Sequence, residues 1–262
     1  MKNKAGDEPE KLRTVEQQIT RRNFISFGTF VAVGAAMFGG WKWLYNSAIE
    51  TKGVTAGARK PLRRALNQTE LLAKKAFSNN HLVKTYPKSM AATKVRVNSL
   101  IGLKDPNFKP EDWKLNIQKA PSDILTITLD DLKKLPKTEL VFDFKCVEGW
   151  DQIQYWGGVR FMDFVAHYGL QQQVEMGYVG MTTPDGKYYV GLDMESAMHP
   201  QTILAYEMNN LPLELQHGAP LRLIIPVKYG IKNLKRIGTI TFSNQRPRDY
   251  WAEYGYDYYS GL

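Results

Sequence analysis

The chain has 262 residues, 43% of them hydrophobic, with six Trp, fourteen Tyr and eleven Phe, which excludes a disordered chain and allows one sizeable core. Its formal charge of +9 comes from 35 Lys and Arg against 26 Asp and Glu, but no zinc-finger, RNA-recognition or helix-turn-helix signature accompanies it, so nucleic acid is not an expected partner. A single cysteine, Cys146, excludes an intrachain disulfide and cannot by itself build a zinc or iron–sulfur site.

In chain order, residues 1–23 read as a polar cytoplasmic tail, 24–45 as a transmembrane or signal segment, 46–75 as a basic tether and 76–262 as the folded domain. Thr20-Arg21-Arg22-Asn23-Phe24-Ile25 stands directly before an apolar run whose one charge is Lys42. Paired arginines there have the form of a twin-arginine export signal; the alternative is an ordinary positive flank on a membrane helix. Phe24–Leu44 is long enough to cross a hydrocarbon core of about 30 Å at ~1.5 Å per residue. Trp41, Trp43 and Tyr45 sit where interfacial aromatics belong, and no A-x-A cleavage site follows, so an uncleaved or inefficiently cleaved anchor is expected. Lys52, Arg59, Lys60, Arg63, Arg64, Lys74 and Lys75 surround a short helical pattern, a juxtamembrane tether or a solvated basic helix.

From Thr93 the pattern turns β-like, at Val95–Leu100, Trp113–Ile117 and Ile124–Ile127. Thr128, with Asp131 three residues on, reads as a capped helix ended by Pro136. Glu139–Phe144 is a strand with Cys146 just past its end. Trp156-Gly157-Gly158-Val159 is expected to open a helix over Arg160–Tyr168, followed by a hairpin, Tyr178–Thr183 and Lys187–Leu192, and later strands at Leu221–Pro226 and Ile237–Phe242. Between Glu214 and Asp249 there is no acidic residue, while Arg222, Lys228, Lys232, Lys235, Arg236, Arg246 and Arg248 occur. Such a stretch is either a solvated basic face or a grip for a phosphate. Cys146 likewise has two readings, a small buried hydrophobe or a thiolate committed to one bond.

Cys146-Val147-Glu148-Gly149-Trp150, followed some seventy residues later by His217-Gly218-Ala219-Pro220-Leu221-Arg222 through Lys228-Tyr229-Gly230-Ile231-Lys232, resembles the sulfite-oxidase-type molybdopterin family, and within it the branch of periplasmic protein-methionine-sulfoxide reductase catalytic subunits. The resemblance runs from about Asn79 to Phe242. It implies an α+β fold of mixed sheets and short helices, and one molybdenum–molybdopterin per chain, to which the protein adds a single soft thiolate. Carried over, it makes Cys146 the metal ligand and places Asn79, Thr183, His217, Arg222, Asn233, Leu234 and Lys235 around the pterin and its phosphate. Asn80 and Glu148 would face the open side of the metal as the catalytic pair, with Glu148 able to deliver a proton if burial raises its pKa.

The chain departs from the family at Leu82-Val83, where the closest relatives have an aromatic and then an acidic residue, and His217 stands where they have asparagine. The A-G-N-R-R type of run of sulfite oxidases is missing after the cysteine, and only Lys145 and Arg160 supply cations nearby in sequence. The expected function is therefore reduction of S-oxides such as methionine sulfoxide. The chain shows no C-x-x-C-H haem site or iron–sulfur cysteines, so a membrane b-type cytochrome is the expected electron donor, at the periplasmic face of the inner membrane after twin-arginine export. The alternatives are a dehydrogenase for sulfite or another small oxyanion, and a non-catalytic membrane-anchored module that binds a phosphate-bearing ligand.

Overall fold

The structure is a computed structural model and describes residues 15–49, 59–76 and 81–261. By contact it divides into two compact units, the first holding the N-terminal helix and the second the remainder. The N-terminal helix α1 (Val15–Asn46) is the one stretch among the described residues long and apolar enough to cross a membrane. It starts earlier than the sequence suggested, so Arg21 and Arg22 lie inside it: Glu16, Gln17 and Gln18 are good helix formers and no breaker separates them from the apolar run. Below its end, Arg59 donates to the Ser47 carbonyl at 2.7 Å and stacks on Tyr45. Helix α2 (Lys60–Ala76) carries the basic pattern, with Leu62, Leu66, Leu71 and Leu72 exposed.

β1 (Leu115–Ala120) and β2 (Asp123–Ile127) form a hairpin that leads into α3 (Leu129–Lys133). The expected cap is present reciprocally: the Thr128 hydroxyl accepts from the Asp131 N–H, and the Asp131 carboxylate accepts from the Thr128 N–H. β3 (Thr138–Lys145) then pairs antiparallel with β4 (Asp151–Arg160), and α4 (Phe161–His167) and α5 (Gln171–Val174) follow. Next come β5 (Tyr178–Thr182), β6 (Tyr189–Asp193), α6 (Met194–Ala197), β7 (Ile203–Met208), β8 (Leu211–Pro212), β9 (Arg222–Ile224), β10 (Thr239–Ser243) and α7 (Tyr250–Glu253).

Two sheets result, the first mixed and the second antiparallel throughout. One runs β2-β1-β10-β5-β6, its β1–β10 pairing parallel; the other runs β3-β4-β7-β8, with β9 also on β7. Alternation along the second sheet serves two cores. Val159, Leu204 and Leu223 join Leu115, Ile117, Val179, Met181, Phe161 and Phe164 in the larger cluster, while Trp156, Ile203, Ala205 and Ile224 turn to Phe142 and Phe144 in the smaller.

Two expectations are corrected. Trp156–Val159 does not open a helix: it is the second half of β4, and the glycine pair answers to the neighbouring strand, because a Cβ on Gly158 would collide with the backbone of Leu204 and Ala205 at the β4–β7 bulge. Val95–Leu100 is not a strand either. Its backbone is held by a side chain, since the Gln152 amide accepts from the Arg96 N–H and donates to the Lys94 carbonyl, taking the place of a partner strand.

The acid-free stretch finds its acids elsewhere in the chain. Lys228 pairs with Asp193 at 3.0 Å, and Lys232 pairs with Asp249 at 2.5 Å, all four side chains at most 3% exposed. Asp249 also accepts from the Gly191 N–H and caps α7 through the Ala252 N–H. Asp249→Ala leaves the buried Lys232 ammonium with the Gly191 carbonyl but no carboxylate, and two N–H groups unanswered, so chemical denaturation should show a loss of about 3–5 kcal/mol. The C-terminal rings fold back, with Tyr258 buried, Tyr250 and Trp251 packed on the core, and Tyr254 and Tyr256 more open.

Candidate active site

Cys146 opens the loop that joins β3 to β4. Its N–H donates to the Trp150 carbonyl at 2.9 Å, and its carbonyl accepts from the N–H of Gly149, whose φ of +83° closes the turn. The thiol is 6% exposed. Burial raises its pKa and the charge of Glu148 adds to that, while the backbone N–H groups of Glu148 and Val147 and the charge of Arg96 act the other way by favouring the thiolate. The sulfur sits in a short hydrogen-bonded loop between two paired strands.

Two recesses meet at Cys146. A narrow one of 70 Å³ is bounded among others by Glu148, Tyr188, Asn233, Lys235, Trp251 and Tyr256; an open groove of 350 Å³ is bounded among others by Lys145, Gly149, Trp150 and Tyr229. A larger cleft of 720 Å³, by Leu129, Tyr206 and Leu215, lies at residues that carry none of this chemistry. Volume is thus a poor guide here, and the donors decide.

Arg222 is wholly buried without an acid. It donates to the carbonyls of His217 (3.0 Å) and Asn233 (3.3 Å) and lies 4.5 Å over the ring of Trp156, yet its Nε and the Trp156 indole N–H have no acceptor among the described residues. Burial lowers its pKa, but a guanidinium keeps its charge in proteins. The Lys235 ammonium is also buried and donates only to the backbone carbonyls of Asn98, Ser99 and Gln216, and burial, then Arg222, brings its pKa to about 7. His217, 3% exposed, is brought to about 4 by burial and by the charges of Arg222 and Lys235. Three buried basic side chains and two orphaned donors make a place for an anion.

The other expected residues fall differently. Asn233 holds the turn, accepting from the Ile225 N–H and donating to the Tyr229 carbonyl. The Leu234 side chain is core, and its backbone pairs with Leu223 and Lys232, so its part is to fix the turn between Asn233 and Lys235. Thr183 is buried in the β5–β6 turn, its hydroxyl committed to Asp185 and Tyr188, and it does not border the recess at Cys146. Glu148 is exposed and accepts from the Trp150 indole N–H at 2.9 Å, so the burial on which its proton-donor role depended is missing. Asn79 and Asn80 lie outside the described residues. Sequence reasoning missed Trp251 and Tyr256, which border the narrow recess and which no spacing ties to the cysteine, and Arg96, which lies 4.7 Å over the Trp150 ring because Gln152 straps the 94–96 segment to β4.

These groups give the cofactor-free protein a pH signature. Between pH 4 and 6.5 the unfolded chain protonates its histidine while folded His217 does not, so stability falls as pH drops through that window, with buried His199 adding the same sign. Between pH 7 and 10.5 the same argument applies to Lys235, and stability rises with pH. Melting curves of cofactor-free protein should therefore climb from pH 4 to 10, and His217→Asn should flatten the acid limb.

The domain thus presents one buried thiol on a recess that Asn233 and Lys235 also border. Residues 103–251 match the oxidoreductase molybdopterin-binding domain, and the chain belongs to this family of oxidoreductases. It is 35% identical to a provisionally described protein-methionine-sulfoxide reductase subunit of Azospira oryzae, over 71% of this chain and 70% of that protein. It is 32% identical to the protein-methionine-sulfoxide reductase catalytic subunit of Campylobacter jejuni, over 60% of this chain and 58% of that one; the chain thus spans little more than half of such a catalytic subunit. The crystal structure of the sulfane dehydrogenase SoxCD from Paracoccus pantotrophus aligns with a TM-score of 0.48 at 18% identity, over 64% of this chain and 46% of that one.

Proposed function

We propose that this enzyme reduces S-oxides, methionine sulfoxide first among them, to the thioether and water with two electrons and two protons. The observation that carries the reading is that one buried thiol, Cys146, and three buried basic side chains without an acid among the described residues, Arg222, Lys235 and His217, occur in one domain, which fits a molybdenum–molybdopterin held at both ends. Cys146 ligates the metal. Arg222, Lys235 and His217 receive the phosphate, the Trp156 indole N–H stands beside Arg222 as a further donor, Asn233 borders the recess, and Leu234 fixes the turn between Asn233 and Lys235. Once bound, the molybdenum centre supplies two-electron oxygen-atom exchange; the chain's own residues hold it, exclude water from its phosphate and leave the groove at Trp150 and Tyr229 open. An open groove admits a side chain borne on a protein as readily as a small molecule.

Helix α1 supports an anchor or export signal, and α2, basic on one side and apolar on the other, supports a tether at the lipid surface. On this reading residues 76–262 are the catalytic domain, exported by the twin-arginine route to the periplasmic face of the inner membrane, where a membrane b-type cytochrome supplies electrons. A second reading, dehydrogenation of sulfite or another small oxyanion, is favoured by one observation: Arg96 holds an exposed guanidinium 4.7 Å over the ring of Trp150, which borders the groove at Cys146. Protein made in a molybdopterin-competent host decides between them. Turnover of methionine sulfoxide with a reduced viologen donor is expected; turnover of sulfite alone would overturn the first reading.

A further inference from the structure

The recess that Cys146 shares with Asn233 and Lys235 measures 70 Å³, whereas clefts that take organic groups measure about 300–1,000 Å³. A pterin reaches the thiol only if one wall gives way. Most of the walls are built into the fold. The Cys146 turn closes on itself between β3 and β4, the Asn233–Lys235 turn is tied to Leu223 and Ile225, and the Tyr188 hydroxyl donates to the Ile231 carbonyl at 2.6 Å. The exception is the side formed by Asn98, Ser99 and Ile101.

Residues 93–101 have no regular structure and, among the described residues, form no main-chain hydrogen bond to another element. Side chains hold them instead. Asn209 donates to the carbonyls of Ala92 (3.0 Å) and Thr93 (3.4 Å), Gln152 holds Lys94 and Arg96, and the Lys235 ammonium donates to the carbonyls of Ser99 (2.9 Å) and Asn98 (3.5 Å). Both ends are fixed. The Ala92 N–H donates to the Ile153 carbonyl, and Gly102, at a φ of +72°, lies so close to Thr183 that a Cβ would stand 2.6 Å from its methyl group. The third bond of Lys235 goes to the Gln216 carbonyl at 3.0 Å. Gln216 and His217 border a second recess, which Thr93 through Val97 also line, so the one ammonium ties a wall of the first recess to a wall of the second.

We propose that residues 93–101 are a lid over the cofactor recess, hinged at Ala92 and Gly102 and latched by Lys235, which opens to let the molybdopterin in or out. The lid rests on the cofactor reading above and is independent of which substrate the enzyme takes. Each side-chain hydrogen bond favours closure by only about fivefold, whereas opening another wall breaks a strand pair or empties core. Phosphate placed at Lys235 draws on the same N–H groups that hold Ser99 and Asn98, so the arriving group loosens the latch it must pass. Ser99 and Leu100 are exposed, so the tip of the lid swings without tearing apolar surface from the core.

Limited digestion with trypsin tests the lid, because Lys94 and Arg96 are exposed and a protease cleaves a segment only when it opens. Full-length protein is made with the group in a molybdopterin-competent host and without it in a molybdopterin-deficient one. Cleavage after Lys94 and Arg96, followed by mass spectrometry, should be at least about tenfold slower in the loaded protein, while cleavage in α2 is unchanged. Two variants loosen the lid without touching the thiol or the cations. Asn209→Gly keeps the positive φ of 53° and loses the bonds to Ala92 and Thr93; Gln152→Met keeps the side-chain length and loses those to Lys94 and Arg96. Each should release pterin at least about fivefold faster than loaded wild type, and be cut about fivefold faster when cofactor-free. Equal cleavage of loaded and cofactor-free protein at these two bonds would overturn the lid, and so would variants that are cut faster yet release pterin at the wild-type rate. Wild-type protein that carries no pterin from the competent host would instead overturn the cofactor reading, and the lid with it.

Discussion

A Cys146→Ser protein is expected to lose sulfoxide reduction by well over a hundredfold while keeping its fold. The loss should exceed the ~10–100-fold typical of a group that merely supports a metal ligand, because the thiolate is the one bond this domain offers the metal. Stability should change by less than about 1 kcal/mol, since serine is nearly isosteric and its hydroxyl can accept from the Val147 and Glu148 N–H groups that face the sulfur. Activity assays and melting curves on the same preparations check both halves. A variant that kept a tenth of the activity would return Cys146 to its bland reading as a buried small side chain.

The second large effect is expected at the other end of the site. Arg222→Leu removes a buried fork from the phosphate, and cofactor retention should fall at least ~10-fold, the scale of a hydrogen bond to a charged group. The stability of cofactor-free protein should respond far less. The substitution removes a buried cation that has no acid, a gain, and strips donors from the carbonyls of His217 and Asn233, a cost of about 1–3 kcal/mol each. Inorganic phosphate or sulfate should raise the melting temperature of cofactor-free wild type by occupying the same place, and should leave Arg222→Leu unmoved. Pterin content after desalting and melting curves with and without phosphate read the two effects. Equal stabilisation of both proteins by phosphate would show that the anion binds elsewhere.

The sequence displayed much of the fold where local chemistry speaks for itself. Thr128 and Asp131 mark their own helix start, and Pro184-Asp185-Gly186 marks the β5–β6 turn, because capping and turn residues act on their neighbours. Gly157-Gly158 misled for the opposite reason. Its glycines answer to the backbone of β7, some forty-five residues on, and only the folded sheet reveals the close approach. Val95 and Val97 alternate like a strand, yet their backbone partner is the Gln152 side chain, which periodicity cannot foresee.

The site was legible in part. Cys146 and the basic stretch stood out by rarity and by one-signed charge, but the chain could not show which bases were already answered. Lys228 and Lys232 find Asp193 and Asp249 from outside the stretch; Arg222, Lys235 and His217 find none. That sorting turns a basic face into an anion site. Glu148 proved to be the partner of the Trp150 indole, and Arg96, unremarkable in sequence, came over that ring through a strap.

The central claim is that Cys146 and the three uncompensated bases hold one molybdenum–molybdopterin. It is tested most directly by the molybdenum and pterin content of full-length wild-type protein purified from a molybdopterin-competent host. The account predicts close to one molybdenum and one pterin per chain. Protein that folds in such a host and carries neither would contradict it.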